Sequence, residues 1–400
     1  FAASGPGVTN LITGVGNAYL DAVPVVALGG ASAISQDGMG AFQEMDQVAM
    51  FKPITKMSER VKDVRRIPEI INKAFRVATS GQPGPVYVDL PGDVLYNVVE
   101  ENEVGRSQRP HKTPRVSGDP GFIKDAIALL SGAERPLVIT GTGIIWSGAM
   151  QELKEFVEMT GIPFYTTPQG RGVIPEDHAL SFLGARNRAW KAADVVLIVG
   201  TRMNFILGFG QAPRFAEDVK MIQVDISDEE IGRNRAVDVG IVGDAKTVLR
   251  QLMDEGSDSF RGRAELPWLD TLRGHDKRSQ EKMEAIMNAD TSPMRPLRLC
   301  KEVRDFMDRD AIIVVDGHEI LNFARQSVPT NAPGHRVNAG PNGCMGVAVP
   351  FGLGAKVAKP DTQVIVLSGD GSFGMNGMEI DTMVRKNIPA IIVISNNGGW

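Results

Sequence analysis

Cysteine is nearly missing from this sequence. Cys300 and Cys344 are the only two in 400 residues, too few for a disulfide framework or a zinc site, and this points to a reducing, intracellular setting. Positive charge is not in excess either. Lys and Arg total 43 against 48 Asp and Glu, a net charge of −5, so no basic surplus exists to neutralise a nucleic-acid backbone. Small anionic ligands stay open, because they need only local donors. No apolar run is long enough to span a membrane. Low-complexity tracts and internal sequence repeats are absent as well. The first residue is Phe1 rather than Met, in what reads as the last residues of a strand, and Trp400 comes just after another strand. Both ends are therefore expected to be cut, and targeting signals are not readable there. A cytoplasmic location is the expectation.

What is abundant is glycine, 44 residues in a chain that is 42% hydrophobic and 23% charged. That balance suits a soluble globular protein of two or three domains, and glycine-rich loops let the backbone approach a ligand. Three blocks follow one another. In the first, "PVVALGG" (24–30) and "GPVYVDLPGDV" (84–94) read as strands, with the helical spacing of "IPEIINKAFRVATSG" between them. The second has strands at 136–143, 163–167, 193–200 and 220–227, alternating with segments such as "AMQELKEFVEMTG". The third has a helix over 297–308, a strand over 311–317, a Gly-rich segment, and the strands "QVIVLSGDG" and "PAIIVISNN". Strand–helix alternation predicts parallel sheets, so the fold class is α/β with three doubly wound domains. The polar stretch 101–118 and the charged stretch 256–296 read as linkers. The predicted domains are 1–105, 118–255 and 297–400.

The chemistry concentrates in "LSGDGSFGMNG" (367–377) and "ISNNGGW" (394–400). A strand delivers Asp370 at its carboxyl end, where open α/β sheets bind ligands. Gly369 and Gly371 leave the backbone bare for a phosphate. The next strand delivers Asn396 and Asn397 to the same edge. A carboxylate and an amide oxygen side by side, next to bare backbone, suit Mg²⁺ bridging a diphosphate. The plainer reading is a glycine turn whose Asp caps the following helix.

GDGS followed by NN at this spacing resembles the motif of the thiamin-diphosphate-dependent superfamily that includes decarboxylases, acetolactate synthases and 2-hydroxyacyl-CoA lyases. The resemblance covers the whole chain. "SGPGVTNLITGVGNAYLDAVPVVALGG" is similar to the latter half of the pyrimidine-binding domain, residues 140–227 to the middle domain, and 297–400 to the first part of the diphosphate-binding domain. It implies a fold incomplete at both ends here, with a cofactor-protonating glutamate upstream and a covering segment downstream.

The resemblance also implies roles. Asp370, Asn397 and the Gly399 carbonyl would hold Mg²⁺, and Gly369, Gly371 and Ser372 would hold the diphosphate. Met345, 25 residues before Asp370, would be the apolar wedge under thiamin diphosphate, with the Gly343 carbonyl accepting from its amino group. By residue type alone Met345 reads as a core methionine. Phe42 and Gln43 in "GAFQEMDQ" would line the substrate cavity, reaching over from a partner subunit in a homodimer or homotetramer. A solvent-facing glutamine is the plainer alternative.

The middle block separates the branches. Gly141 lies in the strand-to-helix turn "ITGTGIIWSGA", and Asp225 ends a strand where a ribose hydroxyl could bind. "GTRMNFILGFGQAPRF" (200–215) is similar to the CoA-using branch, and Met203 and Asn204 stand where acetolactate synthases carry Asp-Asp-Arg. Arg186, Arg202 and Arg214 would serve CoA phosphates, with Asn204 nearby. The resemblance therefore implies ADP or CoA in this domain rather than FAD. Oxalyl-CoA decarboxylases tend to carry Tyr-Glu where Phe42-Gln43 stand. That pair fits 2-hydroxyacyl-CoA lyases and acetolactate synthases, while "NNGGW" departs from the commonest wording of both. The expectation is a carbon–carbon lyase acting on 2-hydroxyacyl-CoA. The alternatives are an acetolactate-synthase-like carboligase, an oxalyl-CoA-type decarboxylase, and a non-catalytic nucleotide-binding scaffold.

Overall fold

The computed structural model describes residues 1–105, 114–260 and 266–399. Of the first expected linker, residues 106–113 lie outside the described residues, as do 261–265 of the second. The chain divides into two compact units, Phe1–Pro114 with Ala339–Cys344, and Arg115–Asn338 with Met345–Trp400.

The first unit is built on a parallel three-stranded sheet of β1 (Val26–Ala31), β2 (Met57–Arg60) and β3 (Val86–Pro91), in the order β1-β3-β2. Ala2 forms an isolated parallel bridge to Gly29 of β1. Central β3 is buried throughout. Its Val86, Val88 and Leu90 pack against the helix Ile67–Thr79, and Tyr87 faces the other core. The short segment Ala339–Cys344 belongs to this unit, which its place in the chain does not suggest. The Cys344 thiol donates to Asn17 Oδ1 (3.4 Å) on the helix Ile12–Leu20.

The second unit holds two sheets. The middle one contains β4 (Pro136–Thr140), β5 (Phe164–Thr166), β6 (Val195–Val199), β7 (Lys220–Asp225) and β8 (Val239–Val242), all parallel, in the order β5-β4-β6-β7-β8. Alternation along β6 explains the double winding. Val195, Leu197 and Val199 enter one core, and Val196 and Ile198 the other. The last sheet contains β9 (Ile312–Asp316), β10 (Arg336–Val337), β11 (Val364–Gly369) and β12 (Ile391–Ser395), in the order β10-β9-β11-β12. Here too Ile313 and Val315 face one core, Ile312 and Val314 the other.

Two expectations need revision. The described residues of 256–296, expected as a second linker, pack with the middle domain. The helix Ala245–Phe260 runs past residue 255, and the helix Trp268–Met287 buries Trp268, Leu269 and Leu272 in the middle-domain core. Its charged outer face masks an apolar stripe, which is why composition alone suggested a linker. Asp370 also does not simply end a strand; it opens the short helix Asp370–Asn376.

Candidate active site

Three strands of the last sheet end together. Gly369 of β11 is in register with Ser395 of β12, so Asp370 and Asn396 leave adjacent strands at one level. β9 lies on the other side of β11 and is followed by the helix Glu319–Ser327. Asn397 Nδ2 donates to Glu319 Oε2 (3.1 Å), which leaves the Asn397 amide oxygen free of that bond. Asn396 is used differently, because its Oδ1 accepts from Gly398 N (3.0 Å) in the turn. The helix at Asp370 has Gly369 as its N-cap, with no side-chain cap bond, so Asp370 is not the capping residue of the plainer reading. Ser372 is 4% exposed, yet its hydroxyl has no hydrogen-bond partner. A half-buried carboxylate, an amide oxygen, a buried orphan hydroxyl and the uncapped N–H groups of a first helical turn suit a metal–diphosphate pair. Glu319 escaped the sequence reading. The rule that ligands bind at strand carboxyl ends, applied to "VVDGHE", would have found it.

Met345 is 37% exposed, so it is not a core methionine. Next to it, the Gly346 carbonyl accepts from Asn376 Nδ2 (2.8 Å), tying this segment to the end of the Asp370–Asn376 helix. In the first unit, Gly343 closes a turn with a left-handed backbone (φ 65°), and Gly399 in the second has open space around its Cα.

The loop after β1 carries Phe42 and Gln43. Phe42 is 87% exposed, an unusual position for a large aromatic ring. Gln43 sits at φ 60°, a strained region for a residue with a side chain. Its Oε1 accepts from Ser4 Oγ (2.5 Å), so its NH₂ is the end left to donate. The loop joins a buried network. Gln47 Oε1 accepts from Gly5 N (2.9 Å), and its Nε2 donates to Asp89 Oδ1 (2.6 Å) and Gly30 O (2.9 Å). Asp89, fully buried, also accepts from Tyr87 OH (2.6 Å) and Arg60 Nε (2.7 Å). Burial, and then Asp89, push the Tyr87 hydroxyl far above its ordinary pKa. This network was invisible in sequence because its members are scattered over three elements.

In the middle sheet Asp225 ends β7 and is 6% exposed. Its Oδ1 accepts from Ser227 N (3.0 Å). Burial pushes its pKa up to about 6, with Glu230 adding to the rise and Arg202 opposing it. The glycines of the preceding turn serve packing. A Cβ on Gly143 would lie 2.5 Å from Gly200 Cα, and one on Gly141 would lie 2.6 Å from Thr201 Cβ. Asn204 caps the segment Phe205–Gly210, its Oδ1 accepting from Ile206 N (3.0 Å). Arg186 and Arg214 both lie over the Trp190 ring, 5.8 and 5.6 Å from its centroid. Arg325 and Arg336 join them from the last sheet's segment. Burial lowers the pKa of Arg186, with Arg214, Arg325 and Arg171 adding to the drop. Burial and then Arg171 lower Arg325 and Arg336 in the same way. Among the described residues Arg171 is the one of these five that forms an ion pair, with the buried Glu176, whose charge also acts on Arg336. Arg325 and Arg336 were not anticipated, because only tertiary packing brings Arg325 near Arg186, and Arg336 near Arg325 and Arg171.

Three domain families match the chain in this order. "Thiamine pyrophosphate enzyme, N-terminal TPP binding domain" covers residues 1–50, the "central domain" 123–252, and the "C-terminal TPP binding domain" 320–400. A 2-hydroxyacyl-CoA lyase of Arabidopsis thaliana is 38% identical over 99% of this chain and 71% of its own length. The chain belongs to the thiamine pyrophosphate enzymes. An oxalyl-CoA decarboxylase of Escherichia coli strain K12 is 35% identical, with 99% of this chain and 71% of the relative covered. A probable acetolactate synthase large subunit of Methanocaldococcus jannaschii is 36% identical over 99% of this chain and 69% of its own length. This thiamine pyrophosphate enzyme is thus of the carbon–carbon lyase and decarboxylase kind, and its three parallel α/β sheets are those the resemblance implied. Among the described residues no helix is long and apolar enough to cross a membrane.

Proposed function

We propose that this chain is a 2-hydroxyacyl-CoA lyase, cleaving its substrate reversibly to an aldehyde and formyl-CoA. The observation that carries this reading is the arginine cluster. Arg214 and Arg325 both act on the buried Arg186, and among the described residues none of the three has an ion-paired carboxylate, which suits a ligand bearing several phosphates, as CoA does. Arg202 and Asp225 would hold the adenosine end, with Gly141 and Asn204 shaping the loops around it. ADP would fit the same chemistry, and no flavin is expected.

In this reading Asp370, the Asn397 amide oxygen and the Gly399 carbonyl hold Mg²⁺. Gly369, Gly371 and Ser372 give N–H groups and the buried hydroxyl to the diphosphate. Met345 would support the bound cofactor, and the Gly343 carbonyl would accept from its amino group. Thiamin diphosphate, when bound, supplies the electron sink that a breaking carbon–carbon bond requires. The chain's own residues orient and desolvate. Gln43, with its oxygen engaged by Ser4, donates its NH₂ to a substrate oxygen, and the Phe42 ring keeps water from it. The protein works as a homodimer or homotetramer. A cytoplasmic setting suits its two free cysteines, of which Cys300 is inert, its thiol pushed up to about 11 by burial.

The test is direct. Purified protein, together with whatever flanking sequence its gene encodes, should be colourless and should split a 2-hydroxyacyl-CoA when given thiamin diphosphate and Mg²⁺. Pyruvate should yield little acetolactate. Arg325→Ala should raise KM for the CoA substrate about tenfold or more while leaving kcat nearly unchanged. A yellow protein with a flavin spectrum, making acetolactate from pyruvate, would instead establish the carboligase.

A further inference from the structure

Carboxylates hold the loop over residues 32–46 at three points. At its stem, Asp93 accepts from Ile34 N (3.0 Å) and Ser35 N (3.1 Å). Midway, Asp37 pairs with Arg60 (2.9 Å), which is itself fixed by the buried Asp89. At its tip the carboxylate comes from within the loop. Glu44 accepts from the main-chain N–H groups of Gly38, Gly40 (2.9 Å) and Ala41 (2.9 Å). Gly38 and Gly40 take left-handed conformations (φ 79° and 72°), which helps turn the N–H groups of Gly38, Gly40 and Ala41 inward into a small anion nest, while that of Met39 donates to Gln36 O. The anion that fills the nest is the loop's own side chain. Phe42 and Gln43 lie between the nest and the Glu44 Cα, so the ring closed by Glu44 dictates their backbone. Gln43 holds its strained φ of 60° inside this ring.

We propose that Glu44 is a positioning residue whose carboxylate, occupied by three main-chain N–H groups, fixes the turn that presents Phe42 and Gln43 to the substrate. The inference rests on the reading that those two residues face the substrate. Glu44 touches no reacting atom; it acts through its two neighbours. Its hydrogen bonds to N–H groups are charge-assisted, and three of them outweigh the strain they impose. Glutamine in its place keeps one acceptor oxygen but sets an NH₂ group against N–H donors. Aspartate is one methylene too short to span the turn.

The experiment uses the holoenzyme with Glu44→Ala, Glu44→Gln and Glu44→Asp, and with Gln43→Ala and Phe42→Ala for comparison. Hydrogen exchange should rise about tenfold or more at residues 38–41 in Glu44→Ala, while the β3 peptide stays protected. Thiamin diphosphate affinity by calorimetry should stay within about twofold, and kcat/KM should fall about tenfold or more. Glu44→Gln should fall between wild type and alanine on both scales. Unchanged exchange at residues 38–41 in Glu44→Ala would overturn the proposal. So would raised exchange with unchanged kcat/KM, if Gln43→Ala lowers kcat/KM. Should Gln43→Ala and Phe42→Ala both leave kcat/KM unaltered, the substrate-facing reading falls and takes this proposal with it, whatever the exchange shows.

Discussion

Asp225 pays for its position in stability, and pH exposes the cost. Its pKa is raised from 3.8 to about 6, first by burial and then by Glu230. The folded protein therefore binds this proton more tightly than the unfolded chain. Stability from this group is greatest below about pH 4, falls as pH rises through 6, and is lower by about 3 kcal/mol above that. Asp225→Asn keeps an oxygen for Ser227 N and removes the buried charge. Calorimetry of the apo protein should show a higher thermal midpoint for the variant at pH 7.5, and the gap should shrink to about a third near pH 4.5. A constant gap across that range would refute the cause. A carboxylate kept at such cost suits a ligand-binding role, so the same variant should weaken ADP binding. Asp370 is a different case. Asp370→Ala removes the charged ligand of the proposed Mg²⁺ site and should weaken Mg²⁺-dependent thiamin diphosphate binding by about 100-fold or more in titration calorimetry. Unchanged affinity would remove Asp370 from the site. Met345→Ala should lower turnover more than cofactor affinity and leave the apo melting curve nearly unshifted, because at 37% exposure the side chain contributes little to any core.

At the scale of elements, the strands that the sequence announces are those that core packing makes continuous. β4, β6, β9 and β11 are runs of buried Val, Ile and Leu, and their apolar letters alone mark them. The strands that were missed lie at sheet edges. β2 reads Met-Ser-Glu-Arg, with no residue fully buried, and β10 is two residues long. An edge strand needs apolar residues on one face at most, so pairing with a neighbour decides its state. Turns carry their own constraint. The tight crossing after β4 and β6 relies on Gly143, whose added Cβ would strike the Gly200 backbone at 2.5 Å. Gly143→Ala should therefore destabilise the second unit by about 1–3 kcal/mol, measured as a lower thermal midpoint. A midpoint unchanged within error would mean that the turn opens without cost.

Across the whole molecule, the second unit ties the middle sheet's loops to the last sheet's segments through one buried ion pair. Arg171 and Glu176 are 6% and 9% exposed, and both reach into residues 325–330. Arg171 donates to Arg325 O (3.0 Å) and Val328 O (3.0 Å), and Glu176 accepts from Thr330 N (2.9 Å). Glu176→Gln leaves a guanidinium buried beside Arg325 and Arg336 with no counter-charge. It should cost about 3–5 kcal/mol and broaden the calorimetric transition of this unit, because its two sheets lose a shared anchor. An unaltered transition would show the pair to be dispensable. The residues that sequence placed at the last sheet's edge, Asp370 and Asn397, were legible because strand, glycine turn and asparagine pair are contiguous letters with one local geometry. The class of fold was legible for the same reason, since alternating apolar strands and amphipathic helices have few ways to bury both faces. Three things were decided only by tertiary structure. These were the joining of Ala339–Cys344 to the first unit, the approach of Arg325 to Arg186 from a distant segment, and the buried Gln47–Asp89–Arg60 network. Each depends on contacts between residues far apart in the chain. Such contacts leave no periodicity in the sequence, and they exist only once loop-closure entropy has been offset by the packing of whole sheets.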